Sequence, residues 1–218
     1  PATPLVIQGH PGTGKTVIAA HRAAYLLHPD NQHTTALQSI LMVGPSSTYA
    51  QNVSGILDDL VPQNVRANIQ VKGIVQALGI LRRQSKITLT GPLDGHFFEV
   101  SIELGDFAEA VAHELRVSGQ LDEMTMNEAA RVIYEAVRSN EIDGLQVTDD
   151  RDMARNLKRL PSWDRASSVT RLHPLVTQCM WAAAPDPTIG FDHIIVDEAQ
   201  DVRPLEWRLL KQLNSKGS

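Results

Sequence analysis

The sequence predicts an α/β fold in which a parallel sheet carries a mainly helical insertion. Two short apolar runs, residues 39–43 and 193–196, have the composition of buried parallel strands. Each run is followed by a helical pattern, which is the order of elements in a right-handed βαβ unit. Between the two runs, mostly helical patterns with frequent charged residues indicate an inserted subdomain.

The elements before the insertion follow one another closely. An apolar first strand leads into a glycine-rich turn, and the second strand stops at Gly44-Pro45, where Ser47 or Thr48 can cap the next helix. The predicted elements in chain order are strand 4–8, helix 15–27, strand 39–43, helix 47–60, strand 69–71 and helix 74–83.

The insertion is predicted to contain a β-hairpin as well as helices. Residues 86–90 and 97–102 alternate apolar and polar side chains on either side of a Gly-Pro turn, which is typical of a hairpin. Four helical patterns follow, near residues 106–118, 127–139, 150–160 and 167–181. The sheet then resumes at 193–196, and a last helix is predicted over 204–213.

Residues 9–16 match the phosphate-loop pattern G-x-x-x-x-G-K-[ST] without a gap. Its glycines allow several backbone N–H groups to point into one concavity, and the following helix directs its positive end there. We expect Lys15 to reach the β- and γ-phosphates of ATP and the Thr16 hydroxyl to ligate Mg²⁺. The predicted ATP-binding residues are Gly9, His10, Pro11, Gly12, Thr13, Gly14, Lys15 and Thr16.

Carboxylates follow the strand at 193–196, in the run Asp197-Glu198-Ala199-Gln200-Asp201. This is the end of a parallel strand at which ligands bind in an open α/β sheet. Asp197 is predicted to hold Mg²⁺ through water, and Glu198 to polarise the attacking water as general base. Together with the phosphate loop, this run predicts a site for nucleoside-triphosphate hydrolysis.

The composition excludes some classes of function but does not identify a binding partner. A net charge of −5 argues against a small module that binds phosphates by bulk electrostatics. No apolar run is long enough to span a bilayer. The single cysteine, Cys179, excludes an internal disulfide and is predicted to be a buried core thiol in a cytoplasmic protein.

Two basic clusters lie on predicted helices. For both of them a solvated helix face is favoured over a binding surface. The clusters are Arg82-Arg83, and Arg155 with Lys158 and Arg159.

The two motifs together resemble a specific branch of phosphate-loop enzymes. Residues 8–16 and 21–27 resemble motif I of UvrD/Rep-like superfamily 1 helicases, and residues 197–201 resemble their motif II. Residues 41–47 and 206–210 are most similar to the HelD-like, helicase-IV-related group. The resemblance implies an N-terminal RecA-like motor domain, with Lys15, Glu198 and Gln200 as catalytic residues. It also implies that Gln200 couples the state of the nucleotide to the nucleic-acid groove.

The same resemblance implies a division of the chain into three parts. Residues 1–68 are expected to form the first part of the RecA-like domain, 69–189 the insertion, and 190–218 the remainder of the RecA-like domain. A second RecA-like domain with arginine fingers is expected after Ser218. The chain is therefore expected to be a fragment that hydrolyses ATP weakly alone, because such fingers contribute roughly 10³–10⁵ in rate.

Three functional hypotheses remain at this point. The first is an ATP- and Mg²⁺-dependent DNA helicase or translocase that acts on single-stranded DNA in the full-length protein. The alternative is a HelD-like ATPase associated with RNA polymerase, which remodels a protein–nucleic-acid complex. The third, a small-molecule kinase, is disfavoured because the acidic strand lies too late in the chain for a compact kinase.

Overall fold

The computed structural model describes residues 5–10, 12–28, 38–83 and 101–214 and confirms the predicted α/β fold class. The strands are β1 (Ile40–Gly44), β2 (Ile69–Gly73), β3 (Glu141–Ile142), β4 (Leu145–Gln146) and β5 (His193–Val196). The helices are α1 (Lys15–Leu26), α2 (Ser47–Leu60), α3 (Gln63–Arg66), α4 (Ile74–Leu81), α5 (Ile102–Val117), α6 (Met126–Ser139), α7 (Arg151–Leu157), α8 (Trp163–Ala166), α9 (His173–Ala183) and α10 (Pro204–Gln212).

A three-stranded parallel sheet of the described residues forms the centre of one half of the fold, with strand order β2-β1-β5. All five residues of β1 are buried, because this strand pairs with β2 on one edge and β5 on the other. In this register Met42 lies opposite Val71 and Ile195. Small and branched residues of α1 and α2 pack on the sheet: Ala20, Ala23, Val53 and Leu57.

The prediction of a first strand at residues 4–8 is wrong for the residues of this segment that the structure describes. Residues 5–8 have no regular secondary structure, and the side chains of Leu5 and Val6 are 60% and 84% exposed. Their apolar, β-branched composition favours a strand, but such a preference is expressed only where a neighbouring strand supplies packing and ladder hydrogen bonds. Among the described strands, none pairs with this segment.

The described chain divides into two compact units. Among the described residues, one unit comprises 5–10, 12–28, 38–77, 187–202 and 210–214, and the other comprises 78–83, 101–186 and 203–209. By this division β2 belongs with the parallel sheet, because it pairs with β1, whereas the sequence had placed residue 69 at the start of the insertion. The predicted β-hairpin lies outside the described residues except at its last two positions, Ser101 and Ile102, which cap and begin α5.

The second unit is mainly helical and is built around α9. Ten of the eleven residues of this helix are buried, Cys179 among them, because α5 and α6 pack against it. Burial also raises the pKa of the Cys179 thiol well above its usual range. No helix in the described part of the chain, α9 included, is long and apolar enough to cross a membrane.

A small hairpin joins α6 to α7 and was missed in the sequence. Strands β3 and β4 pair antiparallel through a two-residue turn at Asp143 and Gly144, whose φ angles are 52° and 79°. Both residues adopt the left-handed region, as a type I′ hairpin turn requires. The Asp-Gly dipeptide was the available signal, but each strand is too short to produce an alternating pattern.

The interpretation of Arg82-Arg83 as a solvated pair is wrong for Arg82. Arg83 is exposed and donates to the Ala184 carbonyl at 3.0 Å, whereas Arg82 is 2% exposed. Nη1 of Arg82 lies 3.1 Å from Nε2 of His173, which is 1% exposed. Because arginine only donates, His173 accepts at Nε2 and is neutral.

The neutral His173 makes the stability of the second unit depend on pH. Burial, followed by the charges of Arg82 and Arg203, lowers its pKa from 6.5 to about 4. The pKa of His173 is lower in the folded protein than in the unfolded chain. The contribution of neutral His173 to the free energy of unfolding is therefore fully present above pH 6.5 and is lost as the pH falls towards 4. The free energy of unfolding is expected to fall by about 1.4 kcal/mol per pH unit in this window.

Urea unfolding of His173→Gln across this window is expected to show a smaller slope of unfolding free energy against pH than the wild type. His113→Gln is the matched control, because His113 is exposed on α5. The interpretation fails if both variants keep the wild-type slope.

Candidate nucleotide-binding site

The phosphate loop of residues 9–16 folds back on the carbonyl of His10. The backbone N–H and the hydroxyl of Thr13 donate to this carbonyl at 3.3 and 2.8 Å. Helix α1 begins directly afterwards, with Gly14 at its N-cap, no capping side chain and no acidic residue in its first turn. The N–H groups of that turn and the positive end of the helix are therefore available to an anion.

Two glycines of the loop are required by its backbone, and a third by the position of the Thr13 side chain. Gly12 and Gly14 have φ angles of 78° and 80°, in the left-handed region that glycine adopts without strain. A Cβ atom on Gly9 would lie 2.8 Å from the Thr13 hydroxyl oxygen. Pro11, which was also predicted to contact ATP, lies outside the described residues.

Lys15 is held against the backbone of the same loop. Its Nζ donates to the carbonyls of Gly9 and His10, at 3.0 and 3.1 Å. A charged phosphate oxygen is a stronger acceptor than a carbonyl. Nucleotide binding can therefore replace these two hydrogen bonds while Lys15 stays at the loop.

Two carboxylates follow strand β5 at the carboxyl edge of the sheet. The backbone N–H of Asp197 donates to the Val43 carbonyl at 2.8 Å, which extends the pairing with β1 by one residue. Asp197 is only 7% exposed. The chain then turns at Glu198, whose φ of 51° and ψ of 45° lie in the left-handed region and cost a non-glycine residue about 1–2 kcal/mol.

A short hydrogen bond joins the phosphate loop to this acidic strand end. The Thr16 hydroxyl donates to Oδ2 of Asp197 at 2.5 Å, across 181 residues of sequence. These two side chains are the predicted Mg²⁺ ligands, and the fold brings them together. Both offer the hard oxygen atoms that Mg²⁺ prefers.

The surroundings of Asp197 fit a divalent cation. No ion pair formed by the described residues includes this buried carboxylate. A buried carboxylate without a cation partner is costly. A Mg²⁺ ion held by Asp197 and Thr16 would supply the missing positive charge.

Glu198 and Gln200 form the remaining part of the site. The Glu198 backbone N–H donates to Oδ1 of Asp197 at 2.9 Å, and Nε2 of Gln200 donates to Oε2 of Glu198 at 2.5 Å. Gln200 is therefore in a position to orient the Glu198 carboxylate. The catalytic roles of Lys15, Glu198 and Gln200 stay predictions.

Tyr49 is a member of this site that the sequence did not reveal. Its hydroxyl is buried beside the Asp197 carboxylate, although no hydrogen bond of regular geometry is formed among the described residues. Burial, followed by the negative charge of Asp197, a hydrogen-bonding interaction with the same carboxylate and the negative charge of Glu198, raises the pKa of this phenol above its ordinary value. Its position was a usable signal, because it lies just after β1, at the edge of the sheet where ligands bind.

Gly44 is expected to be needed for the placement of Tyr49. A Cβ atom at position 44 would lie 2.2 Å from two carbons of the Tyr49 ring, so Gly44→Ala must displace the ring. We expect a loss of about 1–3 kcal/mol in the free energy of unfolding, measured in urea, with weaker Mg²⁺-ATP binding.

Gly55→Ala is the matched control for this change. Gly55 is exposed in α2 and has open space at its Cβ position, so alanine there is expected to stabilise the fold by about 0.5–1 kcal/mol. Equal stability of the Gly44→Ala variant and the wild type would contradict the role given to Gly44.

The site combines three chemical capacities at one edge of the sheet. The start of α1 can bind an anion, the Thr16–Asp197 pair can hold a divalent cation, and Glu198 can accept a proton from water. Mg²⁺ bound there would neutralise phosphate charge. Such an arrangement can bind a Mg²⁺–nucleotide complex and place a water beside it.

Comparison with known proteins gives one match. The sequence profile of a family described as the AAA domain matches residues 1–218. No curated protein and no solved structure matches the chain.

Proposed function

Because the chain belongs to the AAA domain family, we propose that it is the ATP-binding and ATP-hydrolysing motor domain of a Mg²⁺-dependent DNA helicase or translocase. The observation that carries this proposal is the 2.5 Å hydrogen bond between Thr16 and Asp197. It joins the two motifs that resemble those of UvrD/Rep-like helicases into one half-site.

In the proposed mechanism, each side chain of the half-site has one task. Lys15 and the first turn of α1 bind the β- and γ-phosphates. Thr16 and Asp197 would hold Mg²⁺, which would neutralise phosphate charge. Glu198, oriented by Gln200, takes a proton from the water that attacks the γ-phosphorus, while the bond from that phosphorus to the bridging oxygen breaks and ADP leaves. A second RecA-like domain, as the resemblance implies, supplies arginine to the other face of the nucleotide.

The proposal is tested by the steady-state ATPase rate of the full-length protein with and without single-stranded DNA. We expect oligothymidylate to raise the rate at saturating Mg²⁺-ATP. The Glu198→Gln variant serves as the control, because its basal and stimulated rates should both be about 10²–10⁴ lower than those of the wild type.

Two other outcomes would each contradict the helicase proposal. A rate that is insensitive to oligonucleotide but rises with RNA polymerase would support the HelD-like alternative. A rate that responds to neither, but rises with a small-molecule phosphate acceptor, would indicate a kinase.

A further inference from the structure

Three cations of the second unit share one face of a short helix, and a fourth follows it directly. Arg151 and Arg155 lie on α7, Lys158 is its C-cap with helical backbone angles, and Arg159 is the next residue. The spacing of i, i+4 and i+7 places the first three within about 60° of the helix circumference, at 3.6 residues per turn. This stretch includes the Arg155, Lys158 and Arg159 cluster noted in the sequence.

The cationic face points to solvent. Leu157 is fully buried and lies on the opposite side of the helix, which fixes the orientation of α7. Arg151, Arg155, Lys158 and Arg159 are all exposed.

These cations are largely uncompensated within the described chain. Arg155 alone forms an ion pair, with Asp152 at 3.4 Å, and their side chains are 74% and 85% exposed. Such exposed pairs are weak and screened by salt. Glu141 lines the same cleft as Lys158, but the two form no ion pair among the described residues.

The local charge is opposite to that of the whole chain. Residues 151–171 contain six Lys and Arg and two Asp, which gives +4, while the other residues carry −9. The preceding Asp149 and Asp150 reduce this excess, but the Asp150 carboxylate accepts from the backbone N–H groups of Asp152 and Met153 as the N-cap of α7. A concentrated basic face on an acidic protein favours a local polyanion site over bulk attraction.

We propose that this α7 face, formed by Arg151, Arg155, Lys158 and Arg159, binds the sugar-phosphate backbone of single-stranded nucleic acid; the inference rests on the motor function proposed above. Three of its four cations are arginines, whose planar guanidinium groups bind phosphate oxygens in pairs. Trp163, the aromatic residue nearest in sequence, packs edge-on against Tyr134 with ring centres 5.6 Å apart. The face therefore offers phosphate contacts, which position a strand without reading its sequence.

The test is the affinity of the full-length protein for labelled oligothymidylate and oligouridylate, measured by fluorescence anisotropy at several salt concentrations. The test variant combines Arg151→Gln, Arg155→Gln and Lys158→Gln. We expect affinity for both oligonucleotides to fall at least about tenfold, and the slope of log affinity against log salt to fall by about 2, since each phosphate contact contributes about 0.7.

The matched control combines Arg131→Gln and Arg138→Gln on α6. Arg131 is exposed and Arg138 is half-buried, and they already pair with Asp164 and Glu135, at 3.7 and 2.6 Å. Their loss should therefore leave affinity and salt slope unchanged. A second test variant, Arg151→Lys with Arg155→Lys, keeps the charge but loses the paired contacts, so it should keep the wild-type salt slope and retain more affinity than the triple variant. Unchanged Mg²⁺-ATP affinity and thermal unfolding show that each variant is folded.

Three results would overturn the inference. If the wild type binds oligonucleotide and the triple variant binds equally well, the assignment of the binding site to the α7 face is wrong, while the motor proposal stands. If polyglutamate competes as well as oligonucleotide at equal charge, the face binds acidic protein. If the wild type neither binds oligonucleotide nor shows a stimulated ATPase rate, the inference and the helicase proposal both fail.

Discussion

Replacing Lys15 by alanine is expected to reduce the affinity for Mg²⁺-ATP roughly 100-fold. The ammonium group now donates to the carbonyls of Gly9 and His10, and in the bound state it would donate to phosphate oxygens instead. Two hydrogen bonds to a charged partner together contribute about 3 kcal/mol, which corresponds to that change in affinity. Isothermal titration calorimetry with a non-hydrolysable ATP analogue measures the effect directly.

Lys211→Ala is the control for this experiment. It removes the same charge from an exposed position on α10, and it should leave the affinity unchanged. Unchanged affinity in the Lys15→Ala variant would remove the basis for the phosphate-loop assignment.

Replacing Glu198 by glutamine is expected to lower the rate of ATP turnover by about 10²–10⁴ while preserving Mg²⁺-ATP affinity. An amide has the shape of the carboxylate but cannot accept the proton of the attacking water, and general-base catalysis contributes a factor of that size. Glutamine can also keep the hydrogen-bonding position that Glu198 occupies beside Gln200. Single-turnover kinetics at saturating ATP separates the chemical step from binding.

Gln200→Ala provides a graded comparison for the same step. Because Gln200 contacts Glu198 at 2.5 Å and orients it, its loss should reduce turnover less than the loss of the carboxylate itself, by roughly tenfold. Wild-type turnover in the Glu198→Gln variant would show that another group activates the water.

The elements that carry the site were largely predictable from the sequence. The last strand was predicted at residues 193–196, which are the bounds observed for β5, and α1 starts at Lys15 as expected. Both predictions rest on local signals: a short β-branched run in one case, and a glycine-rich turn before a helical pattern in the other. Signals of this kind depend on residues close together in sequence, so they predict the element correctly without knowledge of the tertiary contacts.

The predictions that failed depend on tertiary surroundings. Residues 5–8 have a strand-like composition but pair with no described strand. Arg82 has the polarity of a surface residue, yet it is buried against His173. Neither outcome could be read from the residues themselves, because each depends on a neighbour distant in sequence.

Tyr49 and the small hairpin illustrate a different limit. The position of Tyr49 after β1 predicts proximity to the site, but its ring is placed by the absence of a side chain at Gly44. The hairpin is specified by the Asp143-Gly144 turn, while its two-residue strands have no periodicity to detect. In both cases a single glycine determines the local structure, and a search for hydrophobic periodicity does not detect it.

The central claim is that Thr16 and Asp197 join the phosphate loop and the acidic strand into one Mg²⁺–nucleotide site. The most direct test is calorimetric titration of ATP analogue with and without Mg²⁺, in the wild type and in Asp197→Asn. We expect Mg²⁺ to strengthen binding to the wild type and to have little effect on the variant, because the buried carboxylate is lost. Equal strengthening by Mg²⁺ in both proteins would contradict the claim.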